Sequence, residues 1–176
     1  MGEPRRRAVY VLDSTAILAG LLESGTSRLV TVRDVVDEVR YGGLAPERLA
    51  TAIESGLVDV KTPSPSYIAR VRDAAVRTGD VASLSKADIS LIAAALEEAE
   101  SGYNVTLVTD DYSVQNTAKH LGLQVHGSIH PTIRAPVQWF FRCGGCGMEL
   151  DTAGETCPRC GSPLIKRVRR RHPVNP

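Results

Sequence analysis

Four cysteines carry the most legible chemistry in the chain: Cys143-Gly-Gly-Cys146 and Cys157-Pro-Arg-Cys160. Two thiolates separated by two residues reach one tetrahedral ion from a tight turn, and two such pairs close a four-sulfur shell. A glycine follows the second cysteine of each pair, Gly147 and Gly161. There the reversing chain calls for a positive φ, and the glycine N–H is expected to donate to a sulfur. The ten residues between the pairs suffice for a β-hairpin arm. With all four positions filled by protein, none remains for an activated water, so the site reads as one structural Zn²⁺. Arg142, Arg159 and Lys166 lie near enough in sequence to offset the negative charge of four thiolates. A disulfide pairing is the alternative. It belongs to an oxidising compartment, whereas no signal-peptide pattern or apolar run of about 20 residues is present, and the chain reads as cytoplasmic.

Carboxylates form the second set. Asp13 ends an apolar run, Ala8-Val9-Tyr10-Val11-Leu12, and Asp110 with Asp111 ends another, Asn104 to Thr109. Glu38 lies in Val-Val-Asp-Glu-Val, and Asp88 in the first turn of the helix that Ser85 starts. In an open parallel sheet the carboxyl ends of the strands line the binding crevice. Acids at those ends and at helix starts can converge there as hard oxygen ligands for Mg²⁺ or Mn²⁺. Each also has a plainer reading. Asp13 or Ser14 can cap the following helix, Ser85 with Asp88 resembles a capping box, Asp111 suits an N-cap, and Glu38 can be a solvated helix acid.

The elements that must position these groups alternate. A buried parallel strand over Ala8–Leu12 is followed by helical spacing from Ser14 to Glu23, stopped by Gly25. Val32, Val35, Val36 and Val39 lie on one further helical face. Pro46 suits a helix start, and that helix ends near Ser55-Gly56. Leu57–Lys61 reads as a strand, Ile68–Arg77 as a helix, and Asp80–Leu84 as a connector. A helix starts at Ser85 and is closed by Gly102. A strand over Asn104–Val108, a helix to His120 capped by Gly122, and a short strand over Leu123–His126 complete the body. The alternation predicts an α/β sandwich with a mainly parallel central sheet flanked by helices, plus a small C-terminal β zinc ribbon. The expected division is 1–127 for the body, 128–138 for a linker, 139–166 for the ribbon and 167–176 for a basic tail.

Charge divides the same way. Residues 1–133 hold 13 Lys/Arg against 17 Asp/Glu, net −4, and residues 134–176 hold 8 against 3, net +5. An acidic body suits cations and a basic end suits a polyanion. Trp139, Phe140 and Phe141 are 3 of the 8 aromatic residues. They can stack on unpaired bases, or they can pack the ribbon's first strand and dock it on the body. The candidate polyanion contacts, RNA contacts under the resemblance drawn below, are Trp139, Phe141, Arg142, Arg159 and Lys166, followed by Arg167, Arg169, Arg170 and Arg171. The arginines can equally form a solvated tail.

The successive motifs Val-Leu-Asp13-Ser-Thr, Val-Val-Asp-Glu38-Val, Leu-Ser-Lys-Ala-Asp88 and Val-Thr-Asp110-Asp111-Tyr resemble those of PIN-domain nucleases. With a C-terminal zinc ribbon behind them, the chain resembles more narrowly the archaeal-type Nin-one-binding family, endoribonucleases that mature the 3′ end of small-subunit ribosomal RNA. The resemblance implies a PIN fold with Asp13, Glu38, Asp88 and Asp110 holding one or two Mg²⁺ or Mn²⁺ ions, and Asp111 beside them in the catalytic set. It implies cleavage that leaves a 5′-phosphate and a 3′-hydroxyl, with the pre-ribosomal small subunit as partner. Ser14, Thr15 or Thr109 can bond a metal-bound water or serve as caps. Three other readings stand beside this one: an inactive PIN-fold RNA-binding scaffold, a toxin-type PIN ribonuclease, and a transcription-type ribbon on a metal-binding domain.

Overall fold

A computed structural model describes residues 8–22, 27–41, 43–151 and 154–169. Five parallel strands form the body's sheet: β1 (Ala8–Leu12), β2 (Arg28–Val32), β3 (Val58–Lys61), β4 (Asn104–Val108) and β5 (Gln124–His126). Their order is β3-β2-β1-β4-β5. The chain winds outward from β1 in one direction, then returns to place β4 on β1's other edge. In register, Leu12 lies opposite Val108. The carboxyl ends of β1 and β4 therefore sit side by side where the winding reverses, the place where open α/β sheets form a crevice.

Among the described residues six α-helices cover the sheet: α1 (Ser14–Leu18), α2 (Arg33–Glu38), α3 (Ala45–Glu54), α4 (Pro65–Thr78), α5 (Lys86–Glu100) and α6 (Tyr112–His120). α5 is the central one. It packs against β1, β2 and β4 and against α2, α4 and α6, and Leu91, Ile92, Ala93 and Ala95 are fully buried. Small and aliphatic side chains build this core together with Val9, Val11, Val30 and Leu107. A helix buried on several sides positions its own first turn, and hence Asp88, with little freedom.

Two departures from the sequence reading concern the first half. β2 occupies Arg28–Val32, where only a helical face beginning at Val32 was expected. The strand runs into α2 without a connector, so Val32 both ends β2 and caps α2; the four-residue spacing of the valines masked the change of element. The first helix ends at Leu18, because Gly20 turns the chain with φ +84°. Gly25, the expected stop, lies outside the described residues.

The C-terminal part is a three-stranded antiparallel sheet of order β7-β6-β8, with β6 at Gln138–Cys143, β7 at Glu149–Leu150 and β8 at Leu164–Arg169. β8 carries Arg167 and Arg169 beyond residue 166 as strand residues. Residues 127–137 form no regular element, yet buried side chains of α6 hold them. Asn116 donates to the Val137 carbonyl at 2.9 Å and accepts from the Val137 N–H at 2.7 Å. The Gln115 side-chain oxygen accepts from the Ile133 N–H at 2.9 Å, and Lys119 donates to the Ile133 carbonyl.

Candidate active site and metal centre

Charge links Glu38 to Asp88 and Asp13, and Asp88 to Asp13 and Asp111, although among the described residues no three of these carboxylates come within 4.8 Å of one another. Asp13 is buried at the end of β1 and is the N-cap of α1, accepting from the Ser14 N–H at 2.6 Å. Its other oxygen accepts from the Thr109 hydroxyl at 2.7 Å and from Thr15 at 3.3 Å. Thr109 thus ties the end of β4 to the end of β1, and its oxygen also accepts from the Asp111 N–H at 3.1 Å. Asp111 caps α6, accepting from the Ser113 and Val114 N–H groups. Asp88 and Ser85 form a reciprocal capping box, at 2.7 and 3.1 Å. The capping reading of Asp13, Asp88 and Asp111 is therefore correct, and it also explains the site: caps fix the direction of these three carboxylates.

Glu38 reaches the group from α2. Asp34, one turn earlier, is bound at 2.8 Å by Lys86 and at 3.0 Å by Ser90, both on α5. This brace sets α2 against α5 and so sets Glu38 against Asp88. The Lys86 ammonium holds the Asp34 carboxyl below its ordinary value. Glu38 is pushed the other way, by desolvation first and then by the charges of Asp88 and Asp13. Burial, with Asp13 and Asp111 adding, pushes Asp88 up as well. Two carboxyls raised by burial and by like-charged neighbours mark a cluster that a cation would stabilise. Oxygen donors on the ends of rigid elements fit a hard divalent ion.

Asp110 points elsewhere. Its carboxylate accepts from the Ile129 N–H at 3.1 and 3.2 Å and from the His130 N–H at 2.9 Å. Desolvation works against it, but these N–H groups outweigh that and lower its pKa. The groups acting most strongly on Asp110 belong to the turn after β5 and not to the other acids. From the sequence, Asp110 was expected among the metal ligands and Asp111 chiefly as a helix N-cap; the strand-to-helix turn gives Asp111 its cap bonds on α6 and gives Asp110 the N–H groups of Ile129 and His130.

The four cysteines meet. Their sulfurs all lie within 4.8 Å of one another, the only such group of His, Cys, Asp or Glu ligand atoms among the described residues. Cys143 and Cys160 stand at 3.4 Å and Cys146 and Cys157 at 3.7 Å. A tetrahedral sulfur shell at about 2.3 Å from its ion has edges of about 3.8 Å, so the set fits one tetrahedral metal. Gly147 and Gly161 have φ +73° and +74°, as expected. Their N–H groups, however, go to the carbonyls of Cys143 and Cys157. The donors to sulfur are Gly145 and Cys146 on Cys143 and Arg159 on Cys157. Ser162, through its side chain and then its N–H, draws the Cys160 thiol down to about 6.

The ribbon splits the candidate RNA contacts. In β6 and β8 the pairs Trp139–Val168 and Phe141–Lys166 share one face, and Phe140–Arg167 and Arg142–Ile165 the other. The first face docks on the body. The Lys166 ammonium lies 4.6 Å from the centre of the Trp139 ring and 3.6 Å from buried Asp80. A Cβ placed on Gly79 would meet the Trp139 carbonyl oxygen at 2.8 Å, and Phe141 is buried. The second face presents Arg142 and Arg167, and Arg159 is exposed at the second cysteine turn. Arg169 pairs in register with Gln138; Arg170 and Arg171 lie outside the described residues. Asp80, Asn116 and Gln115, which make the joint, were not singled out from the sequence, since a single polar residue after a capping glycine or inside a helix carries no local signal.

Comparison with known proteins agrees with this geometry. Residues 10–97 match the model of the PIN domain of ribonuclease. Endoribonuclease Nob1 of Archaeoglobus fulgidus is 38% identical over 162 residues, covering 92% of each chain. The chain belongs to the Nob1 endoribonuclease family. Endoribonuclease Nob1 of Pyrococcus abyssi is 37% identical over 92% of this chain and 94% of its own. Ribonuclease VapC1 of Thermoplasma acidophilum is 30% identical over 93% of this chain and 80% of its own. Membership in the Nob1 family makes this chain an endoribonuclease with a PIN-like α/β body and a C-terminal four-cysteine module. No helix among the described residues is long and apolar enough to cross a membrane.

Proposed function

We propose that this endoribonuclease hydrolyses a phosphodiester bond in precursor small-subunit ribosomal RNA, at its 3′ end, in the cytoplasm. The observation that carries the reading is the charge coupling of Asp13, Glu38, Asp88 and Asp111 at the reversal of sheet winding, in a chain of the Nob1 family. These four acids would hold one or two Mg²⁺ or Mn²⁺ ions, and Asp110 anchors the adjoining turn. When bound, the metal supplies an activated water and neutralises charge on the phosphate. The Asp13 side chain is oriented by bonds from Ser14, Thr15 and Thr109. Glu38 and Asp88 lie close enough to Asp13 for its charge to raise their pKa values. One Zn²⁺ holds the ribbon through Cys143, Cys146, Cys157 and Cys160. Arg142, Arg159 and Arg167 contact RNA phosphates, an attraction that weakens steeply with salt.

The test is cleavage of a short RNA spanning the small-subunit 3′ end, with and without Mn²⁺. Wild type cleaves only with the metal, and Asp13→Asn is inactive with an unchanged circular dichroism spectrum. Full activity in Asp13→Asn would sink the assignment; an inactive wild type would favour a scaffold that only binds RNA. A different RNA as substrate is the second reading, favoured by the similarity to a protein named VapC1. Comparing the ribosomal fragment with an arbitrary RNA of equal length separates the two.

A further inference from the structure

Between the body and the ribbon lies a cavity of about 340 Å³ that the nuclease reading leaves without a role. Its size falls in the range of small-ligand sites, roughly 300–1,000 Å³. α6 contributes Tyr112 and Asn116, the ribbon contributes Trp139 and Lys166, and Asp80 lies beneath. Tyr112 directly follows Asp111, so the cavity opens one residue from the acid cluster. Tyr112 is exposed, and Trp139 supplies a second aromatic wall.

Asp80 is the feature that calls for a ligand. Its side chain is only 1% exposed. One carboxylate oxygen accepts from the Asn116 side-chain N–H at 2.5 Å, and the other has no hydrogen-bond partner. Lys166 pairs with that second oxygen as an ion at 3.6 Å, longer than a hydrogen bond. A buried acceptor without a donor is costly, and such groups are uncommon in native interiors. The site thus offers an acceptor, an adjacent cationic donor and aromatic side chains, a combination suited to one edge and a face of a nucleobase.

Resting on the reading of the chain as an RNA nuclease, we propose that this cavity receives an unpaired guanine of the substrate beside the scissile region. Guanine places two donors, N1–H and the exocyclic amine, next to the acceptor O6. The free Asp80 oxygen accepts from the donors while Lys166 donates to O6. Uracil sets its N–H between two carbonyls, one of which would face the carboxylate. Adenine and cytosine offer an amine but no second donor beside it on that edge.

Trp139 is the single tryptophan of the chain, so its indole N–H gives one NMR signal located at the cavity. Titrating the full chain with GMP, AMP, CMP and UMP should move that signal with GMP at roughly tenfold lower concentration than with the others, the discrimination of one good base-edge pair. Asp80→Asn keeps an acceptor for Asn116 and should weaken GMP binding about tenfold. Should that variant not fold, Lys166→Met on the ribbon strand serves instead and should also weaken GMP selectively. An unmoved indole signal, equal response to all four nucleotides, or unchanged GMP binding in the folded variant overturns the proposal. In parallel, RNA cleavage by wild type without a guanine-selective shift removes the pocket and leaves the nuclease reading standing. A guanine-selective shift in a chain that cleaves no RNA overturns the pocket's assignment to an RNA substrate.

Discussion

Asp110 and Asp111 are adjacent, acidic and at the same strand end, yet they sit in different electrostatic settings. Asp111→Asn keeps a good N-cap for α6, so the fold should survive while cleavage falls on the order of a hundredfold or more. Asp110→Ala removes the acceptor of two turn N–H groups and should cost about 1–3 kcal/mol of stability with a much smaller loss of cleavage. Steady-state cleavage and thermal melts of the two variants should give opposite rankings. Glu38 makes a third case. Its pKa is raised in the folded chain, so the native state holds the proton more firmly than the unfolded one. Stability therefore falls as pH rises from the unfolded to the folded value, and the full penalty applies above both. Glu38→Gln should abolish cleavage and melt at or above the wild-type temperature near pH 7. At about pH 3, where both states of the wild type are protonated, the gain should vanish.

Among elements, α2 and α5 make the site through the Asp34 brace to Lys86 and Ser90, and α4 decides how the ribbon sits. The helix ends at Gly79 with φ +78°, and the Trp139 backbone lies against the space a side chain would fill. Gly79→Ala combines a left-handed backbone with a 2.8 Å contact to the Trp139 carbonyl oxygen. It should destabilise by about 1–3 kcal/mol and shift the Trp139 indole signal, which a purely local strain in α4 would leave in place. The missed strand β2 belongs to this scale as well. Arg28–Val32 is a run that neighbouring strands on both edges turn into sheet, and nothing in its spacing distinguishes it from the helix that continues it.

For the whole molecule, the question is how far the ribbon acts apart from the nuclease centre. The acids lie after β1, on α2 and α5 and before α6, all in the body, while the guanine pocket and the basic face need the ribbon. Cys160→Ser opens the four-sulfur shell and should cost the ribbon its zinc and its fold. Mn²⁺-dependent turnover of a short RNA at saturation should change little, because Gln115 and Asn116 remain to hold residues 133–137. The KM should rise by roughly an order of magnitude as the second attachment point is lost. A loss of kcat with KM unchanged would show instead that the ribbon shapes the acid cluster itself.

The sequence by itself determined the parallel α/β body, the four-cysteine metal site and the family, because these rest on local signals: apolar runs, capping residues and fixed spacings that mean the same in any context. It also showed acids at strand ends. Which acids face one another was decided only by the tertiary structure, since β1 and β4 are brought side by side from 96 residues apart, as the Thr109–Asp13 bond records. The two faces of β6 and β8 were likewise undecided until pairing fixed their register, putting Trp139 and Lys166 against the body and Arg142 and Arg167 away from it. The orphaned oxygen of Asp80 had no local trace at all. Whether a buried polar atom has a partner depends on every element packed around it, and here those elements come from the body, the linker and the ribbon together.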